Sequence, residues 1–218
     1  PRPGPKLRLP PLQDATHSPP TSASLLLAAA MDPLEGTSER GGLPDRERPN
    51  DVHRGDNLVL DDGRLVLWVD EVIDTEIRCR VVVGGELSNN KGINRMGGGL
   101  SASAITAKDR ADIRIAAEMG ADYVAASFPR SADDIHLARQ LLQEAGGHGG
   151  IVAKIERAEA LEALEEIVEA SDAVMIARGD LGVEIGDAEL PAVQKRIIKV
   201  ARSLDRVVIT ATQMMQSM

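Results

Sequence analysis

The sequence predicts an α/β fold in which a parallel sheet is built from repeated β-α units. Between residues 106 and 212, short apolar segments alternate with segments whose apolar residues recur at helical spacing. The apolar segments contain few polar residues, as strands do when both faces of a parallel sheet are covered. Connections of this kind predict right-handed crossovers between parallel strands. A (β/α) barrel and a doubly wound sheet agree equally well with these observations.

The part of the chain before this alternation predicts a different, antiparallel unit. Ten of the twelve prolines fall within the first fifty residues, so residues 9–50 are predicted to be largely irregular. Asp62 and Gly63 stand between two runs of alternating apolar residues, which indicates a β-hairpin. The segment "EIRCRVVVGGEL" at 76–87 adds a strand, so residues 52–88 are predicted to form a small antiparallel β unit.

The β-α units begin after a glycine-rich stretch that ends at Gly99. Thr106 and Asp109 have the spacing of a capping box, which predicts the start of a helix. A strand follows at 121–128, and Ser131 is placed to cap the next helix. The remaining predicted elements, in order, are the strand "GIVAKIE" at 150–156, a helix over 158–170, the strand "DAVMIAR" at 172–178, a helix beginning at Pro191 and the strand "RVVITAT" at 206–212.

Composition and charge exclude several classes of function. The chain is 43% hydrophobic and 27% charged, which is typical of a globular protein. Its net charge of −9 and its lack of a basic stripe argue against nucleic acid or an anionic membrane surface as a partner. The single cysteine, Cys79, cannot form an internal disulfide and suits a reducing compartment, so we expect the cytoplasm. No apolar run has the length needed to span a bilayer.

Polar side chains follow each predicted strand of the second half at its carboxyl end, the edge that binds ligands in parallel α/β folds. Lys154 and Glu156 are two residues apart and therefore share one face of their strand. Glu156 and Asp180 arrive on neighbouring strands, and two carboxylates suit a hard cation such as Mg²⁺. A cluster of structural ion pairs is the alternative. The other polar residues at these strand ends are Ser127, Arg130, Arg178, Thr210, Thr212 and Gln213.

Five stretches of this sequence resemble the pyruvate kinase family, and together they cover most of residues 52–218. The resemblance implies a (β/α)₈ barrel with a β domain inserted after its third strand. On this basis residues 1–8 are a barrel strand, residues 9–88 the inserted β domain, and residues 89–218 an incomplete barrel segment. About five β/α units are present in all. The five stretches are "GPKLR" at 4–8, "LDDGRL" at 60–65 with "NNKGIN" at 89–94, residues 107–134, residues 153–185 and residues 194–218.

The resemblance implies phosphoryl transfer from phosphoenolpyruvate to ADP, which yields pyruvate and ATP in glycolysis. It implies that Glu156 and Asp180 hold Mg²⁺ or Mn²⁺. Lys154 would stabilise charge on the transferred group and on the enolate. Thr212 would lie beside the enolate carbon and relay a proton through water.

The resemblance also assigns residues to the substrate and nucleotide sites. The backbone N–H groups of Gly179 and Asp180, at the start of a short helical turn, would bind the substrate carboxylate. Arg178 and Thr212 would line the same substrate site, and Arg8 would approach the nucleotide phosphates. Members of the family usually form homotetramers, an assembly that we do not expect of an incomplete barrel.

The chain also departs from the family pattern. Its match begins at barrel strand three and ends after strand seven, so two barrel strands before it, one after it and a C-terminal domain lie outside the match. One alternative is therefore a catalytically inactive fragment of the enzyme. Another is a different Mg²⁺-dependent barrel that uses phosphoenolpyruvate or pyruvate, such as a lyase or an aldolase. That second alternative does not account for "ATQMMQSM" at 211–218.

The residue at position 6 predicts how the activity responds to K⁺. Family members that need K⁺ tend to carry Glu where this chain has Lys6, and a lysine puts a fixed cation near the same place. We therefore expect no strict requirement for K⁺ when activity is compared with and without K⁺ in a full-length form. A large stimulation by K⁺ would contradict this expectation.

Overall fold

The computed structural model describes residues 16–28, 37, 40–42, 51–61, 63–88, 92–98 and 105–211. These residues form two compact units, one within residues 16–98 and the other within residues 105–211. In the described part of the chain, no helix has both the length and the apolar character needed to cross a bilayer.

The first unit is an antiparallel sheet with one parallel pair at its edge. Six strands lie side by side in the order β3-β2-β6-β5-β4-β8, and β1 pairs separately with β7. The strands are β1 (Thr16–His17), β2 (Ser24–Ala28), β3 (Arg40–Gly42), β4 (Asn57–Leu60), β5 (Leu65–Ile73), β6 (Glu76–Val83), β7 (Leu87–Ser88) and β8 (Ile93–Arg95). The domain boundaries drawn from the sequence stay a prediction, and pairing within this sheet continues to β8, beyond residue 88.

The hairpin predicted around residues 62 and 63 is present between β4 and β5. The two strands pair antiparallel, with Leu60 opposite Leu65. Gly63 has φ +96° and Asp61 has φ +50°, so the turn uses the left-handed backbone region in which glycine is least strained. Asp62 itself lies outside the described residues.

The strand β2 lies within residues 9–50, which are described only in part, so the prediction that they are largely irregular stays a prediction. This strand pairs along its whole length with β6, and the side chains of Leu25 and Leu27 are buried in the core of the unit. Its partner lies about fifty residues further along the chain, so the pairing that stabilises it is not local. The local, proline-rich sequence therefore did not predict this strand, because the strand is stabilised by pairing with a segment that is distant in sequence.

The second unit confirms the predicted α/β fold with a parallel sheet. Its four described strands are parallel and follow one another in chain order, β9-β10-β11-β12. A doubly wound sheet reverses its strand order, whereas a barrel keeps this sequential order, so the described sheet favours the barrel. The elements are α1 (Ala107–Glu118), β9 (Tyr123–Ala126), α2 (Ala132–Glu144), β10 (Gly150–Ile155), a 3₁₀ turn (Glu159–Leu161), α3 (Leu164–Ala170), β11 (Ala173–Ile176), α4 (Arg178–Ile185), α5 (Leu190–Ser203) and β12 (Val207–Thr210).

The helix starts agree only in part with the predicted caps. The capping box of α1 is confirmed, because Asp109 N–H donates to Thr106 Oγ1 and Thr106 N–H donates to Asp109 Oδ2. Ser131 is the cap residue of α2, but its side chain makes no capping hydrogen bond. The carboxylate of Asp134 accepts the N–H of Arg130 instead, at 2.8 Å, so an acid inside the helix stabilises its entry.

The single helix predicted over residues 158–170 is wrong. The segment divides into the 3₁₀ turn and α3, since the backbone at Ala163 (φ −98°, ψ 24°) leaves the helical region. The helix predicted to begin at Pro191 begins at Leu190, with the proline in its first turn, where a missing N–H costs no helical hydrogen bond.

The buried cysteine of the first unit gives a test of its packing. Burial, with the nearby charge of Asp70 adding to it, raises the pKa of Cys79 from 9.0 to about 12. The folded-state pKa lies above the unfolded one, so ionisation favours unfolding and the free energy of unfolding falls as the pH rises above 9. We expect Cys79 to react with a chromogenic disulfide reagent at pH 8 more than about a hundredfold slower in the folded chain than in the urea-unfolded chain. Similar rates in both states would show that Cys79 is not buried.

Candidate active site

The strand register divides β10 into a helix-facing side and an opposite side. Ile151, Ala153 and Ile155 are fully buried in the core that the helices cover. Lys154 points to the opposite face because side chains alternate along a strand, and its neighbour there on β11 is Met175. The strand thus places one cation on a largely apolar sheet face, one residue before its carboxyl end.

Lys154 and Glu156 form a buried ion pair at that end of β10. The Nζ atom of Lys154 lies 2.5 Å from Oε1 of Glu156, and the two side chains are 14% and 1% exposed. Lys154 Nζ also donates to Oγ of Ser127, which follows β9, at 3.1 Å. The two charged side chains therefore meet beside the end of the neighbouring strand, and their roles in binding stay a prediction.

The backbone of Phe128 supplies a contact that no sequence pattern indicated. Its N–H donates to Oε2 of Glu156 at 2.8 Å, and its side chain is buried. Phe128 has φ +56°, in the left-handed region, which costs a residue other than glycine about 1–3 kcal/mol. The sequence marked Ser127 only as a polar residue at a strand end and gave no signal for the unusual backbone beside it. The loop after β9 therefore holds both members of the ion pair.

A second carboxylate lies close enough to affect Glu156. Burial raises the pKa of Glu156; the charge and hydrogen bond of Lys154 oppose that rise, the negative charge of Asp180 adds to it, and the N–H of Phe128 opposes it. Repulsion between two carboxylates at a desolvated position is unfavourable, and a divalent cation between them would offset it. The residues present therefore fit Mg²⁺ or Mn²⁺, which prefer carboxylate oxygens.

The donor set for such a cation would be small. Within the described ranges, no group of three or more His, Cys, Asp or Glu side chains could hold a metal ion. A site with only Glu156 and Asp180 would leave several positions for water and for oxygens of a substrate, as Mg²⁺ sites that act on phosphates commonly do.

The helix α4 begins immediately after β11 and places its N-terminus at this edge of the sheet. Gly179 and Asp180 lie in its first turn, where N–H groups have no acceptor within the helix. The N–H of Leu181 is already bonded to Ala177 O, so the anion-binding groups would be those before it. Gly186, with φ +89°, ends the helix in a conformation open to glycine.

The side chain of Arg178 turns toward α5. Its Nη1 donates to Oε1 of Gln194 at 2.7 Å, while its Nε is buried without a hydrogen bond. The predicted contact of Arg178 with substrate stays a prediction. The candidate residues Lys6, Arg8 and Thr212 lie outside the described residues, and β12 is described as far as Thr210.

The fold and the site define a β/α-barrel protein with a lysine, two carboxylates and a helix N-terminus gathered at the carboxyl ends of neighbouring strands. The chain belongs to the pyruvate kinase family, since residues 3–218 match the family described as pyruvate kinase, barrel domain. This assignment replaces the alternative of a lyase or aldolase barrel.

Curated relatives agree with the family assignment. The chain is 50% identical over 218 residues to a pyruvate kinase of Buchnera aphidicola subsp. Schizaphis graminum, covering 99% of this chain and 45% of that protein. It is 52% identical to a pyruvate kinase of Haemophilus influenzae, covering 99% and 46%. It is also 52% identical to pyruvate kinase II of Salmonella typhimurium, covering 99% and 45%. The chain therefore spans about half the length of these relatives.

The buried ion pair predicts an asymmetric response to substitution. Lys154→Met leaves the Glu156 carboxylate buried without its cation, and we expect it to cost about 3–5 kcal/mol in urea denaturation without metal. The double variant Lys154→Met/Glu156→Gln removes both charges and should lose less than Lys154→Met alone. The matched control is Arg80→Met, which breaks the exposed pair with Asp70 and should cost about 0–1 kcal/mol. An equal loss in the free energy of unfolding for Lys154→Met and Arg80→Met would contradict the burial of the pair between Lys154 and Glu156.

Proposed function

We propose that the protein carrying this chain transfers the phosphoryl group of phosphoenolpyruvate to ADP, which forms pyruvate and ATP. The bond between phosphorus and the enol oxygen breaks, and a bond from phosphorus to a terminal phosphate oxygen of ADP forms. The enolate that remains takes a proton at carbon to become pyruvate. The observation that supports this reaction best is the buried pair of Lys154 and Glu156 with Asp180 nearby, at the ligand-binding edge of a barrel of this family.

Glu156 and Asp180 are the residues that would hold Mg²⁺ or Mn²⁺. When bound, such a cation neutralises charge on the phosphoryl and enolate oxygens. The chain prepares Glu156 for this role with two contacts, the Nζ of Lys154 and the N–H of Phe128, which orient its carboxylate before any ligand arrives. A carboxylate fixed in this way loses little rotamer freedom on binding a cation.

Lys154 is the residue that we assign to charge stabilisation during transfer. Its ammonium is held between Ser127 and Glu156 and is largely shielded from water. In such a low-dielectric place a fixed cation interacts more strongly with charge that develops on the phosphoryl group and the enolate. Phosphoryl transfer depends mainly on positioning and electrostatic stabilisation, so one well-held lysine has a large effect.

The remaining assignments complete the proposal. The N–H groups of Gly179 and Asp180 at the start of α4 would bind the substrate carboxylate, with Arg178 beside them. Thr212 would relay the proton to the enolate carbon, and Arg8 would contact the nucleotide phosphates. We further propose that Lys6 takes the place of K⁺, that the protein is cytoplasmic, and that the complete enzyme forms a homotetramer, as members of the family usually do.

A coupled assay of pyruvate formation tests this proposal. We expect Lys154→Met to lower kcat by about 10²–10³-fold, because it removes a preorganised cation from the site. Asp180→Asn should raise the Mg²⁺ concentration needed for half-maximal rate. The control is Asp133→Asn, which changes an exposed acid in the first turn of α2 and should leave the rate unchanged.

Two results would contradict the proposal in different ways. Activity that Asp180→Asn leaves unchanged would show that the metal assignment is wrong. A chain that forms no pyruvate with Mg²⁺, phosphoenolpyruvate and ADP present would support the inactive-fragment alternative instead.

A further inference from the structure

A buried acid that the proposed reaction does not use lies in α4. Glu184 is 4% exposed, although carboxylates are rarely buried unless they are paired. Its Oε2 accepts the backbone N–H of Ala158 at 2.8 Å, across 26 residues of sequence. This hydrogen bond joins the loop after β10 to the helix α4, two segments that are distant in sequence. It also gives the backbone N–H of Ala158 an acceptor.

The two ends of this hydrogen bond stand close to the two candidate metal ligands. Ala158 is two residues after Glu156, in the loop that leaves β10. Glu184 is four residues after Asp180, so the two side chains lie on the same face of α4, one turn apart. The bond from Ala158 to Glu184 therefore connects the segment that carries one carboxylate to the helix that carries the other.

The loop at the Ala158 end is also braced internally, by a contact between the two residues that flank Ala158. Arg157 is almost fully buried, and its guanidinium makes two contacts with Glu159, Nη2 to Oε1 at 3.0 Å and Nε to Oε2 at 3.3 Å. Paired contacts of this kind restrict the orientation of the residues that make them. A shift of α4 would therefore strain this loop instead of being absorbed by it.

We propose that Glu184 is a positioning residue that sets the separation of Glu156 and Asp180 and thereby the affinity for a divalent cation. This inference rests on the proposed function, because it assumes that the two carboxylates share one cation. Residues that orient metal ligands through hydrogen bonds commonly change metal affinity by 10- to 100-fold. Glu184 acts through the backbone of Ala158 and touches neither the cation nor the substrate.

Mn²⁺ binding to the full chain, followed by the electron paramagnetic resonance signal of free Mn²⁺, tests this proposal without an activity assay. Glu184→Ala removes the acceptor and should raise the Mn²⁺ dissociation constant about 10-fold or more. Glu184→Gln keeps an oxygen acceptor and should restore an affinity close to that of the unsubstituted chain. Ala158→Pro removes the donor at a residue whose φ of −61° suits proline, and it should weaken binding as Glu184→Ala does.

The matched control is Asp172→Ala. Asp172 Oδ2 accepts the N–H of Ile151 at 2.7 Å, at the amino end of the same strand β10. This variant also removes a carboxylate–backbone hydrogen bond from the second unit, so it should lower the melting temperature while leaving the Mn²⁺ dissociation constant unchanged.

The outcomes separate this proposal from the proposed function. An unchanged dissociation constant in both Glu184→Ala and Ala158→Pro, or an equal loss in Asp172→Ala, would overturn the role of Glu184 while the metal site stands. If Glu156→Gln and Asp180→Asn also leave Mn²⁺ binding unchanged, or if the unsubstituted chain binds no Mn²⁺, the metal site itself is wrong, and the role of Glu184 falls with it. If Glu184→Ala does not fold, the Mn²⁺ dissociation constants of Glu184→Gln and Ala158→Pro are compared instead. A weaker affinity in Ala158→Pro than in Glu184→Gln supports the role of Glu184, and equal affinities overturn it.

Discussion

The burial of one carboxylate, that of Glu156, constrains the rest of the candidate site. Glu156 is 1% exposed, and a buried carboxylate is tolerated only when cations and N–H groups replace the water it has lost. Lys154 and the N–H of Phe128 both contact the Glu156 carboxylate in place of water. Lys154 is itself bonded to the hydroxyl of Ser127. The left-handed backbone of Phe128 is a local cost at the residue whose N–H donates to Glu156.

The parallel sheet makes this constraint possible. Four strands in sequential order bring their carboxyl ends to one edge, so the loop after β9, the end of β10 and the start of α4 meet there although they are distant in sequence. The helix-facing side of the sheet is filled with aliphatic side chains, which leaves the opposite side and the strand ends for polar groups. The chain belongs to the pyruvate kinase family, and we propose that this arrangement serves charge stabilisation and metal binding at a phosphoryl-transfer site.

Much of the second unit could be predicted because its signals are local. Helical spacing, apolar strands and the capping box of Thr106 each occupy fewer than twenty residues, and each agrees with the structure except for the helix predicted over 158–170, which is divided in two. The strand Ser24–Ala28 could not be recognised, because its pairing partner lies about fifty residues away. The side chain of Ser131 makes no capping hydrogen bond, and the carboxylate of Asp134 accepts the N–H of Arg130. Sequence spacing alone does not decide which of these polar side chains bonds to the backbone at the start of a helix.

The sequence by itself determined which chemistry the site could hold: a lysine and a glutamate on one strand face, an aspartate after the next strand, and a glycine to open a helix. The reason is that strand periodicity and residue type are properties of the chain alone. Only the tertiary structure decided how the lysine and the glutamate are held, through the backbone of Phe128 and the hydroxyl of Ser127. Those contacts depend on dihedral angles and on hydrogen bonds between segments distant in sequence, which exist only once the strands have paired.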